Sequence, residues 1–447
     1  MPPIACNPPA EAAALYRRGL ASEAIACLEA AAQRSPERPQ LWINLALLQF
    51  RAGRFDAAER AARTAVTLAP RDPDALTNLA LVFAVHQRYA LAEAAIGRAL
   101  AAAPDHGPAL AGRGFIAERQ AKYAEAGVAY AAAASRCPEY AEARLNHAFS
   151  LLRAGDFAAG WEAYEWRWRT EAFAPSRRRL PMPEWDGGPL DNRSIFVWHE
   201  QGLGDTIQFA RYLPLLVERG ARVVAAVQTP LIRLLRASMP MIEIVDREAP
   251  VAELDMHAPM LSLPRGFGTT LRDIPARMPY LRAADSEAFA NDSKGFKVGL
   301  VWAGAAENPN DRFRSIAVRD LAPILAVRGA TFYSLQVGAN SSVLRAVADR
   351  PPIADLTPRL IDFADTADAV AALDLIIAVD TAVAHLAGAL GKPVWTLIAT
   401  PADWRWMIAG DDSPWYPTMR LFRQPRPGDW KTPIARIAAA LAGRTGG

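Results

Sequence analysis

Four prolines, Pro36, Pro70, Pro104 and Pro138, follow one another at intervals of 34 residues. A period of that length restricts the chain to a stack of like units, each of which buries its apolar face only against its neighbours. Two further ladders keep the phase. Phe55, Tyr89, Tyr123 and Phe157 form one; Ala58, Ala92 and Ala126, with Gly160 in the last slot, form the other. Large residues at a fixed slot fill the groove between paired helices, and small ones let the helices approach. Proline ends each second helix because it lacks the amide that a continuing helix must donate.

These ladders resemble the tetratricopeptide repeat over residues 5–172, so the N-terminal third is predicted to be an α-solenoid. Such arrays present an extended concave face, which implies a protein or peptide partner on the groove. Asn44, Asn78 and Asn146 share one slot of their repeats, with Gly112 interrupting the series. Amides there can pair with an extended peptide backbone, or they can simply fill the slot.

The rest of the chain is of another kind. Eleven of the 12 tryptophans follow residue 160, whereas the alanine-rich stretch before it holds only Trp42. Breakers crowd residues 173–192 (Pro175, Pro181, Pro183, Gly187, Gly188, Pro189), which predicts a linker. Apolar runs then alternate with helical periodicity: Ser194–Trp198, Arg222–Val227 and Ile242–Val245, and again from Lys297, at Thr331–Leu335, Leu375–Val379 and Val394–Ile398. That alternation predicts two Rossmann-like α/β domains, at 193–292 and 293–447, with ligand held between them at the carboxyl ends of the strands.

A net charge of +3 is too small to point to nucleic acid or an anionic membrane surface. Cys6, Cys27 and Cys137 have neither metal nor redox spacing. With no basic leader segment and no apolar run of membrane-spanning length, the expectation is a cytoplasmic chain without a membrane span.

The loop Gly202-Leu203-Gly204-Asp205 follows a strand, but the third glycine of a dinucleotide fingerprint would fall at Ile207. Gly391-Lys392 is no Walker loop either, because Leu386 stands where its first glycine belongs. The most specific segment is Asp380-Thr381-Ala382-Val383-Ala384-His385-Leu386. Asp380 ends a strand and Thr381 opens a helix, so backbone amides and the positive end of the helix dipole face whatever lies beyond: an anion site that suits a diphosphate. His385 lies one turn in and can add a donor.

This segment resembles the nucleotide-sugar site of the heptosyltransferase-like glycosyltransferases of family 9, which carry Asp-Thr-Gly-x-x-His-Leu there; Ala382 replaces the glycine. Gly204-Asp205 is similar to that family's first-domain loop, whose aspartate is its candidate catalytic base. The pairing of repeats with such a tail also resembles bacterial repeat-glycosyltransferase proteins and, more loosely, the O-linked N-acetylglucosamine transferases of family 41, in which an asparagine ladder lines the groove. The resemblance implies a GT-B arrangement, a nucleotide-diphosphate sugar as co-substrate, inversion and no metal. It implies Asp205 as base, His385 with the leaving group, and donor contacts from Gly204, Asp380, Thr381 and Ala382.

Read from the residues alone, Asp205 and Asp380-Thr381 are also ordinary helix caps. Arg312 and Arg314 can neutralise a diphosphate or belong to a surface loop. Gln336 and Gly338 can approach a nucleotide or make a turn. Asp365 reads as a helix cap and Asp362 as a ribose contact. Trp404, Trp406, Trp415 and Tyr416 either stack on a ligand or pack a core. A second reading of the whole remains: a repeat scaffold whose transferase-like half is degenerate.

Overall fold

The computed structural model describes residues 8–251, 253–289, 295–305, 311–338 and 353–446. Cys6 and the expected boundary between residues 292 and 293 lie outside them. The chain forms two compact units, Met1–Leu151 with Ala163–Pro175, and Leu152–Glu162 with Ser176–Gly447.

The first unit is built of helical hairpins: Pro8–Arg17 with Ala21–Arg34, Pro39–Arg51 with Phe55–Leu68, Pro73–Val85 with Tyr89–Ala102, and Gly107–Arg119 with Tyr123–Arg136. Ala58, Ala92 and Ala126 are fully buried. The phased prolines follow one residue after the C-caps Ser35, Ala69 and Ala103. A second set of prolines opens first helices, at Pro39 and Pro73, where the missing amide costs nothing.

The period extends to the backbone. Gly19, Gly53, Gln87, Ala121 and Gly155, each 34 residues from the next, all have positive φ, from 59° to 88°. The residue after each of the first four donates to a carbonyl five residues back: Leu20 to Leu15, Arg54 to Gln49, Arg88 to Phe83, and Lys122 to Ala117. That is the left-handed closure of a helix C-terminus, which glycine adopts without steric cost and Gln87 and Ala121 do not.

The second unit holds two all-parallel sheets. The first contains β1 (Ser194–Trp198), β2 (Arg222–Val227), β3 (Glu243–Asp246) and β4 (Met256–Pro259), in the order β3-β2-β1-β4. The second contains β5 (Phe296–Val301), β6 (Ala330–Ser334), β7 (Ile353–Asp355), β8 (Leu375–Val379), β9 (Val394–Ile398) and β10 (Met419–Arg423), in the order β10-β9-β8-β5-β6-β7. This is the doubly wound order of a dinucleotide-binding sheet, reversing between β5 and β8, and crevices form at such reversals. A helical solenoid followed by two parallel α/β lobes agrees with a GT-B-like architecture.

The late aromatics are core. Trp404, Trp406, Trp415 and Tyr416 are all buried. Phe157 stacks on Trp415 at 5.8 Å, and Trp161 meets Trp404 edge-on at 5.4 Å. Residues 152–162 carry the last turns of the repeat pattern, yet they belong to the second unit. No helix among the described residues is long and apolar enough to cross a membrane.

Candidate active site

Four loops leave the carboxyl ends of strands in both sheets and converge on one cavity of about 520 Å³. Gln201–Asp205 follow β1, Ala303–Ala305 follow β5, Leu335–Gly338 follow β6, and Asp380–Val383 follow β8. Val301, Arg314, Phe363, His385, Asp403 and Arg405 complete its lining. The volume suits a drug-sized ligand.

Two helix N-termini meet there. The helix Leu203–Phe209 begins after Gly202, three residues earlier than a cap at Asp205 would require. Asp205 is therefore its third residue, and its Oδ2 accepts the Gly202 amide at 2.9 Å. The facing helix, Ala382–Ala389, is capped by Thr381 in extended conformation. Thr381 lends no side-chain bond to the cap, and its Oγ1 is buried without a partner. A buried hydroxyl left unpaired costs about 1 to 3 kcal/mol, which a bound acceptor would remove.

Gly204 lies at the closest approach of the two helices. A Cβ there would stand 3.1 Å from His385 Cδ2 and 3.3 Å from Ala382 Cα. Its small size brings the helices together, so its place in the site is as a packing contact as well as a lining residue. Ala382 is the first residue of its helix and lines the cavity.

His385 is 5% exposed. Its ring stacks on Trp406 at 5.3 Å, its Nδ1 lies 3.0 Å from the Tyr416 hydroxyl, and its Nε2 lies 3.9 Å from Asp380 Oδ1. Burial holds the imidazole pKa well below its ordinary value, and the cations Arg405, Arg211 and Arg314 push the same way. His385 is neutral at pH 7. Burial, with Asp403 nearby, raises the Asp380 carboxyl to about 6. Burial also raises the Asp205 carboxyl, against the opposing pull of Arg405.

The remaining expected residues fare differently. Arg314 lines the cavity and pairs with Asp311 at 3.3 Å. Arg312 is exposed with its guanidinium over Phe313, outside the lining. The Gln336 side chain is taken up by the loop after β5: its Oε1 accepts the Trp302 and Ala303 amides at 3.0 and 2.9 Å, and its Nε2 donates to the Ala303 carbonyl at 3.1 Å. It shapes the wall. Asp362, not Asp365, caps the helix Phe363–Ala371, and both carboxylates pair with Arg233, which displaces the ribose expectation.

In the solenoid, Asn78 is buried and its Nδ2 donates to the Ile43 carbonyl at 3.0 Å, so it ties neighbouring repeats together. Asn44 accepts from Gln40 at 3.2 Å, and Asn146 is half-buried.

Gly304, Arg405 and Asp403 are among the cavity residues that the sequence patterns did not reveal. At Gly304 a Cβ would lie 2.3 Å from Asp311 Oδ1 and 2.5 Å from an Arg314 nitrogen, so any side chain there would have to displace the Asp311–Arg314 pair. Arg405 and Asp403 stand within the Asp403-Trp404-Arg405-Trp406 run, whose tryptophans drew attention from the charged pair between them. Among the described residues, no group of three or more His, Cys, Asp or Glu side chains is placed to hold a metal ion.

Residues 10–75 and 43–108 match the tetratricopeptide repeat family, and residues 290–421 match "Glycosyltransferase family 9 (heptosyltransferase)". The chain carries tetratricopeptide repeats at its N-terminus and a family 9 glycosyltransferase domain at its C-terminus. The family 9 match contains Asp380, Thr381, Ala382, His385 and Arg405, while Asp205 precedes it.

Protein FlbA of Caulobacter vibrioides is 30% identical over 320 residues, which is 65% of this chain and 53% of that protein. The chain thus spans about half the length of this curated relative. Among solved structures, a thermophilic TPR protein of Thermus thermophilus is 20% identical with TM-score 0.33, covering 36% of this chain and 87% of its own. The pilF protein of Pseudomonas aeruginosa is 16% identical with TM-score 0.30, covering 39% of this chain and 76% of its own.

Proposed function

We propose that the family 9 domain and the lobe before it transfer a sugar from a nucleotide-diphosphate sugar to a glycan or a repeat-recruited protein. The observation that carries this reading is that the Asp205 carboxylate and the helix N-terminus at Thr381 line one cavity. The diphosphate would lie against the amides that follow Thr381, whose unpaired Oγ1 is a ready donor. Arg314 and the neutral His385 would face the charge that grows on it.

The acceptor hydroxyl attacks the anomeric carbon, and its proton passes to Asp205. The bond from that carbon to the diphosphate oxygen breaks, and the diphosphate leaves with the electron pair. The reaction is inverting, needs no metal, and takes place in the cytoplasm.

Calorimetry with a panel of nucleotide sugars and nucleoside diphosphates tests this, and added chelator should change nothing. Thr381→Val with His385→Ala should weaken donor binding by about 1 to 3 kcal/mol. Asp205→Asn should slow turnover by about 100-fold with affinity unchanged. Failure of any nucleoside diphosphate to bind at millimolar concentration leaves the second reading, a non-catalytic repeat scaffold. The methyl of Ala382 at the helix entrance, where the resembling family has glycine, favours that reading.

A further inference from the structure

Arg405 belongs to the second lobe, in a short helical turn after β9, and reaches into the first. Its Nη2 donates to Asp205 Oδ1, and its Nε donates to Gln208 Oε1 at 2.8 Å. Asp205 and Gln208 lie on one helix, three residues apart and so on one face. The other end of the arginine is anchored at home. Asp403 Oδ1 accepts both the Arg405 amide at 3.0 Å and its Nη1 at 2.9 Å. The guanidinium lies over the Trp404 ring at 4.4 Å, and the residue is only 8% exposed.

A second arginine crosses in the opposite sense. Arg211, from the first lobe, donates its Nε to the Gln208 carbonyl at 2.8 Å and its Nη1 to the Trp415 carbonyl at 2.8 Å. Gln208, fully buried, is the residue that both arginines share.

We propose that Arg405 is a positioning residue that fixes the Asp205 carboxylate from across the cleft, so that the proton acceptor is aimed only while the two lobes are closed. This rests on the transferase reading above. Asp205 without the arginine would keep the Gly202 amide on Oδ2 and lose the guanidinium that orients Oδ1. A guanidinium fork fixes orientation as well as charge, which an ammonium does not. A displacement of about 1 Å at a reacting group can cost about 100-fold in rate. Closure by an ion pair also makes assembly of the acceptor conditional on the donor lobe being in place.

The test uses the full chain, release of nucleoside diphosphate from a panel of nucleotide sugars with water as acceptor, and three variants. Arg405→Gln should lower kcat about 10- to 100-fold while the KM for the sugar nucleotide changes less than about threefold. Loss of the neighbouring cation should raise the Asp205 pKa, so the acid limb of the pH–rate profile should move to higher pH. Arg405→Lys restores the charge without the fork: the limb should return, and the rate should recover only in part.

An unmoved acid limb in Arg405→Gln, with a lowered melting temperature, overturns the proposal and leaves a structural contact. Unchanged turnover in Asp205→Asn overturns the proton acceptor itself. Loss in Asp205→Asn with full activity in Arg405→Gln overturns the clamp alone. Absence of any turnover by the unmodified chain overturns both.

Discussion

Nδ1 of His385 lies 3.0 Å from the hydroxyl of Tyr416, and this contact decides what the imidazole offers the cavity. Burial keeps the Tyr416 phenol protonated far beyond pH 10, so it has a proton to donate. When it donates to Nδ1, the ring proton resides on Nε2, on the side of Asp380. Tyr416→Phe removes that constraint. Nitrogen NMR should show Nε2–H as the dominant tautomer in the unmodified protein and a mixture in the variant, with turnover reduced by about tenfold. Identical spectra would dismiss the tautomer argument.

The left-handed ladder of the solenoid yields a stability prediction. Gln87 and Ala121 hold φ near 60° at slots where Gly19, Gly53 and Gly155 stand in other repeats. A non-glycine residue in this region costs about 1 kcal/mol or more, partly offset by the greater freedom of glycine in the unfolded chain. Gln87→Gly and Ala121→Gly should each stabilise the protein by about 0.5 kcal/mol, read as a higher urea midpoint with an unchanged slope. A drop in midpoint would show that the side chains contribute more than the backbone loses.

Asp380 links stability to pH in a definite direction. Its folded pKa, about 6, exceeds the ordinary 3.8, so the folded state holds the proton more tightly. Its contribution therefore favours the fold at low pH and is lost as pH rises from about 4 to 6, flattening above that range; about 3 kcal/mol is at stake. His385, with its pKa depressed, acts oppositely: its neutral form favours the fold above the ordinary histidine value of 6.5 and is penalised as pH falls below it. Asp380→Asn should abolish the first effect and leave the second, so the variant should gain on the unmodified chain between pH 4 and 7. Parallel melting profiles for the two proteins would contradict this.

The three asparagines of the repeat slot should separate under mutation. Asn78→Ala leaves the Ile43 carbonyl without its 3.0 Å donor inside the solenoid. A loss of about 1 to 2 kcal/mol follows. Asn44→Ala and Asn146→Ala should leave the melting temperature within about a degree, because neither side chain is fully buried. Any effect of these two on peptide capture can then be read without interference from folding, whereas Asn78 cannot be used in that way.

Much of the architecture was legible because it is periodic. A helix repeats its environment every turn and a solenoid every 34 residues, so proline, aromatic and alanine ladders reveal both scales at once. The central strands β1, β2, β5, β8 and β9 were legible because burial on both faces demands unbroken apolar runs. The strands that escaped notice lack such a run. Met256–Pro259 contains a histidine and ends in proline, Ile353–Asp355 has three residues, and Met419–Arg423 is broken by two arginines at a sheet edge.

The chain's own order of residues determined that a helical repeat precedes two α/β lobes, and that Asp205 and Thr381–His385 stand at strand-to-helix junctions. These are local properties, set by spacing, backbone preference and burial over a few turns. Tertiary structure alone decided the partners. Nothing in the sequence joins Asp205 to Arg405, which lies 200 residues away, or sets Gly204 against Ala382. It also decided that Gln336 spends its amide on the loop after β5 while Arg314, and not Arg312, reaches the cavity. Charge pairs and close packing depend on where two lobes bring distant segments together, and that geometry has no period for a sequence to display.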